Sequence, residues 1–499
     1  MAKNKEIEEK IKNATTWSFL TEILAKIIVP LTNAILAHLL MPEAFGVVAT
    51  INIVITFTDV LTESGFGQYL IQHEFETKQD YRESVNVAFL SNFAISTAIW
   101  ALVYVFRSKI SMSVGCEGYE IPLVVACLSI PISSFISIPT SVLQKELDYH
   151  SLFYNRIAGS LTSLVISTSL ALLGFEHWAL IIGTLSSNIA KTFILMVRSK
   201  WHPCLYFSFS KLKKMMSYSI WILLEAIAMW ASNWIDIFLI SHYFSSYYIG
   251  IYKTSQTTVT GILSVVTASV NSIVFVTLSK LKNNEDDFKN FFYSSQKKLA
   301  ILVVPMGVGI YVYKKLITII LLGENWVEAS EFLGIWGLCM AMVATMGTFC
   351  REALRAKGLP KTSLIVQILH LVFIVPVIWF SIGLGYSKLI YIRSFAYLQV
   401  ILLLHIFVKI NIGLSPRVII INTLWPLVCA TFMGGIGYLM NSYWGDRILL
   451  SFVGIFLCIV VYFISLIIIR EYRNIVMDTV YACMAKFRMR NDKNTRSRI

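Results

Sequence analysis

Fourteen apolar runs of about 22 residues, separated by short polar or charged punctuation, recur along this chain, each as long as a helix must be to cross about 30 Å of hydrocarbon. Backbone inside hydrocarbon must satisfy its own polar groups, so runs of this kind fold as helices packed on one another. The runs predict helices 1 to 6 over 14–40, 44–70, 83–106, 119–143, 152–174 and 177–198. Helices 7 to 12 follow over 215–242, 247–279, 290–322, 328–350, 362–383 and 388–410, and helices 13 and 14 over 418–440 and 448–469. With 56% hydrophobic and 14% charged residues and a mean hydropathy of +0.68, a soluble globule is excluded. The expected fold is an all-α polytopic membrane protein of about 14 transmembrane helices. Its parts are a cytoplasmic tail 1–13, an N-lobe 14–199, a basic cytoplasmic linker 200–214, a C-lobe 215–410, two C-terminal helices over 418–469 and a basic tail 470–499.

Charge orients the bundle. The net charge is +13, and with the N-terminus inside, 32 Lys and Arg fall on the cytoplasmic side against 6 outside (Arg107, Lys109, Lys314, Lys315, Lys388 and Arg447). That asymmetry predicts a multi-pass membrane protein with both termini cytoplasmic and basic loops facing anionic lipid rather than nucleic acid. The first apolar run holds Glu22 and Lys26 and has no A-x-A site, as expected of a retained helix rather than a signal peptide. Eight scattered cysteines form no CxxC pair, which argues against a disulfide framework or a metal site. The chain has no GxxxxGK[ST] and no HExxH, and its thirteen loops average only about 11 residues. These features predict neither an enzyme nor an ATP-driven pump, and no cofactor or metal.

Shifted by 204, the sequence aligns with itself: Trp17 meets Trp221, Leu20 Leu224, Ile23 Ile227, His38 His242 and Gly46 Gly250. Six helices separate the copies, so both run in the same direction and would be related by an axis along the membrane normal. Paired repeats of this kind enclose a substrate path.

Ionisable groups within spans are costly in lipid and mark interior surface. In helix 1, Glu22, Lys26 and Asn33 share a face; in helix 2, Asn52, Thr56, Asp59 and Glu63 step by four, three and four. Helix 7 carries Glu225, Ser232, Asn233 and Asp236, and helix 8 carries Lys253, Thr257, Thr260, Ser264, Thr267 and Asn271. Lys26, Asp59 and Glu225 fall about 13–18 Å from the cytoplasmic ends, near mid-membrane. Candidate cargo contacts are Lys26, Lys253, Arg393, Asn33, Asn52, Thr260 and Asn271. Glu22, Asp59, Glu225 and Asp236 are candidates for coupling or a charge network. Bland readings stay open for several: Glu22 and Lys26 one turn apart can neutralise each other, Asp59 can buttress a neighbouring helix, Arg393 can snorkel, and the hydroxyl stripe of helix 8 can be packing glue.

Leu40-Met41-Pro42-Glu43-Ala44-Phe45-Gly46, the turn Glu63-Ser64-Gly65-Phe66-Gly67 with Ile71-Gln72 beyond it, the Asp236 helix, Gly250-Ile251-Tyr252 and Arg355-Ala356-Lys357-Gly358 together resemble the Wzx-type polysaccharide flippases. These belong to the multidrug/oligosaccharidyl-lipid/polysaccharide exporter superfamily, and the resemblance spans roughly residues 10 to 410. It implies two six-helix lobes, two additional C-terminal helices, and movement of an undecaprenyl-diphosphate-linked oligosaccharide to the outer leaflet by alternating access. The residues carried across are the acid of helix 7, Asp236, and the base after Gly250-Ile251-Tyr252, Lys253. Phe244-Ser245 departs from the glycine that members often have there. The expected partners are the lipid-linked cargo, membrane lipids and polysaccharide polymerase or assembly proteins, with no nucleic acid. Two other functions fit the same residues: an ion-coupled multidrug exporter, whose cavity would favour acids, and a non-transporting scaffold for polysaccharide assembly.

Overall fold

The computed structural model of the protein describes residues 16–18, 20, 21, 24, 28–63, 66–199, 201–444, 447–475 and 477. Among these residues every regular element is helical. Among the described residues, nine helices are long and apolar enough to span a membrane, eleven if each of two bent pairs is a single span. Tyr149–Leu172 and Phe209–Ile240 add helices of 24 and 32 residues, and the first of these is rich in Ser. The expected all-α polytopic architecture is therefore present, and the fourteen runs are consistent with it.

Three stretches differ from simple spans. Arg107–Val114 is helical where the sequence reads as a loop, and it ends at Gly115, whose φ of 72° suits glycine. The helix expected over 290–322 runs over Glu285–Val312, then turns by 86° into Lys314–Leu321. The turn lets Lys314 and Lys315 begin a new helix rather than extend a span, and Lys314 Nζ lies 5.3 Å from the Tyr311 ring. In helix 10, Val343–Thr348 widens to a π turn. The Met346 carbonyl there accepts from Cys350 Sγ at 3.0 Å and lies 3.2 Å from His405 Nε2.

The chain divides into two compact units. The first holds residues 1–261, 318–332 and 367–396. One of its cores packs Leu70, Val85, Phe89, Ile138 and Met215 together. Beside it, Lys211 binds Asp80 at 2.7 Å and Glu83 at 2.8 Å, fixing the start of helix 7 to helix 3. In the second unit (262–317, 333–366 and 397–499), helices 9, 13 and 14 enclose Val304, Val308, Ala430, Met433, Cys458 and Tyr462. Gly434 and Gly437 keep helix 13 close to its neighbours: a Cβ on either would lie within 3 Å of Val308 or Cys458.

The internal repeat reappears as geometry. Within the first unit, a Cβ on Gly46 would strike the Ser246 carbonyl, and one on Gly250 would strike the Pro42 carbonyl. Pro42 and Ser246 are themselves 204 apart, so the first turns of helices 2 and 8 cross reciprocally. A second repeated device has a spacing of 212. Lys145 donates to the carbonyls of Leu70 and His73 at 2.7 and 2.8 Å, under the Phe75 ring at 4.5 Å; Lys357 donates to the Lys282 carbonyl at 2.6 Å, with the Phe288 ring at 4.7 Å. In each half, a lysine at the end of helix 4 or 10 satisfies carbonyls at the end of helix 2 or 8.

Candidate functional site

Asp236 anchors a polar cluster inside the first unit. Its carboxylate is 2% exposed, and Oδ2 accepts from Arg393 Nη2 at 2.8 Å, Tyr252 Oη at 2.8 Å and Gln256 Nε2 at 3.1 Å. Burying an ion pair is costly unless the remaining lone pairs are also used, and here a neutral hydroxyl and an amide use them. Helix 7 supplies Asp236, helix 8 Tyr252 and Gln256 one turn apart, and the first half of helix 12, Tyr386–Tyr397, supplies Arg393. Tyr252 is stacked on Phe332, centroids 4.6 Å apart, which fixes its hydroxyl. Lys253 is half-buried, with Nζ 3.9 Å from the Trp234 centroid. One carboxylate, one guanidinium and one ammonium leave this cluster with a net charge of +1.

Asn52, Thr56 and Asp59 of helix 2 line a cavity of about 220 Å³ elsewhere in the first unit. Helix 4 adds Ser129 and Ser133, and helix 6 adds Thr184 and Asn188. Trp230 of helix 7 donates to Thr56 Oγ1 at 3.1 Å. The sequence reading missed the helix 4 and helix 6 contributions. Their signal was present: Ser129 with Ser133, and Thr184 with Asn188, are polar pairs one turn apart on apolar helices.

The second unit contains an apolar cavity of about 390 Å³ between helices 8, 9, 13 and 14, lined by residues including Ile262, Leu302, Met306, Met433 and Ile459. Tyr313 Oη and Cys458 Sγ, 3.6 Å apart, meet at its wall.

The other candidates separate. Asn33 is half-buried on helix 1, and Thr260 is exposed with its hydroxyl donated to the Gln256 carbonyl at 2.8 Å. Glu22 and Lys26 lie outside the described residues, as do the side chains of Glu225 and Asn271, whose backbones are helical. The structure therefore brings Asp236, Lys253 and Arg393 together, sets Asn52 and Asp59 on a different cavity, and joins Arg393 to Asp236 instead of exposing it.

The model of a family described as "Polysaccharide biosynthesis protein" matches residues 35–331, more than half the chain. The chain belongs to the polysaccharide biosynthesis protein family. Among proteins of similar sequence, the succinoglycan biosynthesis transport protein ExoT of Rhizobium meliloti (strain 1021) is 24% identical over 319 residues, 64% of each chain. The teichuronic acid biosynthesis protein TuaB of Bacillus subtilis (strain 168) is 22% identical over 339 residues, 66% of this chain and 68% of TuaB. Among solved structures, the lipid II flippase MurJ in an inward closed conformation superposes with a TM-score of 0.74 at 16% identity, covering 93% of this chain and all of MurJ. An inward-facing multidrug resistance MATE transporter gives 0.62 at 13% identity, covering 78% of this chain and 94% of that one. This family member therefore shares the fold of both a lipid flippase and a drug exporter.

Proposed function

We propose that this polysaccharide biosynthesis family member flips an undecaprenyl-diphosphate-linked oligosaccharide from the cytoplasmic to the outer leaflet of a bacterial inner membrane by alternating access, as a transporter and not an enzyme. The observation that carries this reading is the family match over 35–331, from the end of helix 1 into helix 10. The named activities of ExoT and TuaB, both in polysaccharide biosynthesis, agree with it, as does the fold shared with a lipid II flippase.

The cargo poses two physical problems, a diphosphate with about two negative charges and a polar glycan, both excluded from hydrocarbon. Lys253 is the cation best suited to the diphosphate: half-buried, seated on Trp234 and backed by the Asp236–Arg393 pair. Arg393 acts through Asp236 as a positioning residue. Asn33, Asn52 and Thr260 offer amide and hydroxyl contacts to sugar, and Lys26 and Asn271 are proposed to join them. Glu22 and Glu225 complete the proposed charge network, and Asp59 is the proposed coupling carboxylate. The apolar cavity beside helices 13 and 14 suits a stretch of isoprenoid chain, whose apolar surface its lining matches. The lobes proposed are 14–199 and 215–410, with both termini in the cytoplasm on the strength of the charge census.

Deleting the gene should abolish surface polysaccharide and leave lipid-linked repeat units facing the cytoplasm, and re-expression should restore both. Normal polymer combined with raised sensitivity to cationic drugs would replace this reading with the multidrug exporter.

A further inference from the structure

Between Arg198, where helix 6 ends, and Phe209, where helix 7 begins, the chain runs without helix beside the first turns of helix 3, Lys78–Val105. Hydrogen bonds fix its level there. Asn86 Oδ1 accepts from Trp201 Nε1 at 3.0 Å and from the Cys204 N–H at 3.4 Å, and Lys211 returns to Asp80 and Glu83. Asn86 lies eight residues past Lys78, about 12 Å along helix 3 at 1.5 Å per residue. The linker is therefore tied well inside the end of a spanning helix instead of hanging beyond it. Trp201, Tyr206 and Leu212 pack on the core around Phe89 and Met215, so one side is held. The other side faces outward: Leu205, Phe207 and Phe209 are 93%, 56% and 74% exposed, while Tyr206 and Ser208 between them are half-buried. On helix 7, Lys213 and Met216 are exposed four and seven residues beyond Phe209 and continue its face, and Lys214 is exposed beside them. No Asp or Glu occurs between Glu176 and Glu225.

We propose that residues 205–216 form a membrane-inserted wedge that binds anionic phospholipid in the leaflet where helices 6 and 7 end. Leu205, Phe207, Phe209 and Met216 enter the boundary between headgroups and acyl chains, and Lys213 and Lys214 take lipid phosphate. An apolar face bordered by lysines is the composition that lies in a membrane interface, entering it by about 5–10 Å. The tie to Asn86 sets this face at that depth. The nearby acids Asp80 and Glu83 are engaged by Lys211, so the chain presents positive charge, which anionic headgroups complement. A lysine can keep its methylene stem in the apolar layer while its ammonium reaches phosphate. A soluble partner would need the face to project beyond the membrane surface, and the bonds to Asn86 oppose that. The wedge uses neither Lys253 nor the Asp236 cluster, so it stands apart from the cargo reading.

The test places an environment-sensitive nitrobenzoxadiazole label on Phe207→Cys in the full chain, without native cysteines, in nanodiscs of phosphatidylcholine and phosphatidylglycerol. Emission should be blue-shifted from that of the same label on Asn283→Cys, in the exposed turn between helices 8 and 9, and a nitroxide on lipid carbon 5 should quench it. Nitroxide-labelled phosphatidylglycerol should reach a given quenching at about one-fifth the mole fraction that labelled phosphatidylcholine requires, the factor one lysine contributes near anionic lipid. Lys213→Gln with Lys214→Gln should erase that preference. Leu205→Cys should report the same pattern and serves should the Phe207 variant fail to fold. Absence of lipid quenching would overturn the proposal, with emission matching Asn283→Cys marking a face in water and blue-shifted emission a face covered by protein. Equal quenching by the two lipids with both lysines present, or a preference untouched by their substitution, would overturn the anionic headgroup assignment.

Discussion

Adding one methyl group at Gly46 should pull apart the crossing of helices 2 and 8. An ideal Cβ there lies 2.6 Å from the Ser246 carbonyl carbon and 2.9 Å from the Gly250 nitrogen, and both obstacles are backbone that no rotamer change can clear. The helix ends must part by roughly 1 Å, and overpacking of this kind costs about 3 kcal/mol at the upper end of its usual range. Alanine recovers up to about 1 kcal/mol of helix propensity over glycine. The net penalty on the crossed state is then about 2 kcal/mol, or roughly 30-fold in the ratio of parted to crossed molecules. Ala49, 4% exposed and one turn further along helix 2, reports on that ratio. In a protein lacking native cysteines, Ala49→Cys should react with an impermeant maleimide roughly 30-fold faster when Gly46→Ala is added. The reciprocal geometry makes a sharper demand: Gly250→Ala should act equally, and the double variant should fall short of the sum, because one separation relieves both clashes. Labelling within twofold of the parent in both single variants, or strictly additive effects, would refute the crossing as a packed backbone contact.

Four further outcomes follow from the same structure. Arg393→Leu should destabilise the protein by about 3–5 kcal/mol by stranding Asp236, whereas Asp236→Asn with Arg393→Gln should recover most of that loss; equal melting points for the single and double variants would contradict the pairing. Lys253→Gln should abolish polysaccharide export in a deletion strain while Lys253→Arg retains part of it, and full export by the Gln variant would remove Lys253 from cargo binding. Cys204 is exposed while Cys116, Cys127, Cys339, Cys350, Cys429 and Cys458 are buried, so a maleimide on the folded protein at pH 7 should reach Cys204 before any of them. Burial pushes the Cys116 thiol, in the loop between helices 3 and 4, up to about 11. Its neutral form is thus the folded one, and the unfolded thiol ionises first as pH rises. The parent should lose stability relative to Cys116→Ser between about pH 9 and 11 and show no such pH-dependent difference below that window; a flat difference would reject the burial effect.

Most of the fold was legible because spanning length and apolar composition are local quantities, fixed by lipid whichever helices become neighbours. The periodic stripes were legible for the same reason, since a step of three or four residues fixes a shared face before any packing exists. Depth and charge nevertheless gave Arg393 and Lys253 the same role, and only packing separated them by setting Arg393 on Asp236 and leaving Lys253 on Trp234. Likewise Asp59 declared itself as an acid within a span, but Ser129, Ser133, Thr184 and Asn188 became its companions only when helices 2, 4 and 6 came together. The repeat divides in the same way. A fixed shift of 204 finds Gly46 and Gly250, whereas Lys145 and Lys357 are 212 apart and match only through the carbonyls and rings they touch. Insertions change sequence spacing without moving the helix ends a lysine must reach, so the chain alone determined where polar groups lie along each helix, and tertiary packing decided which of them meet.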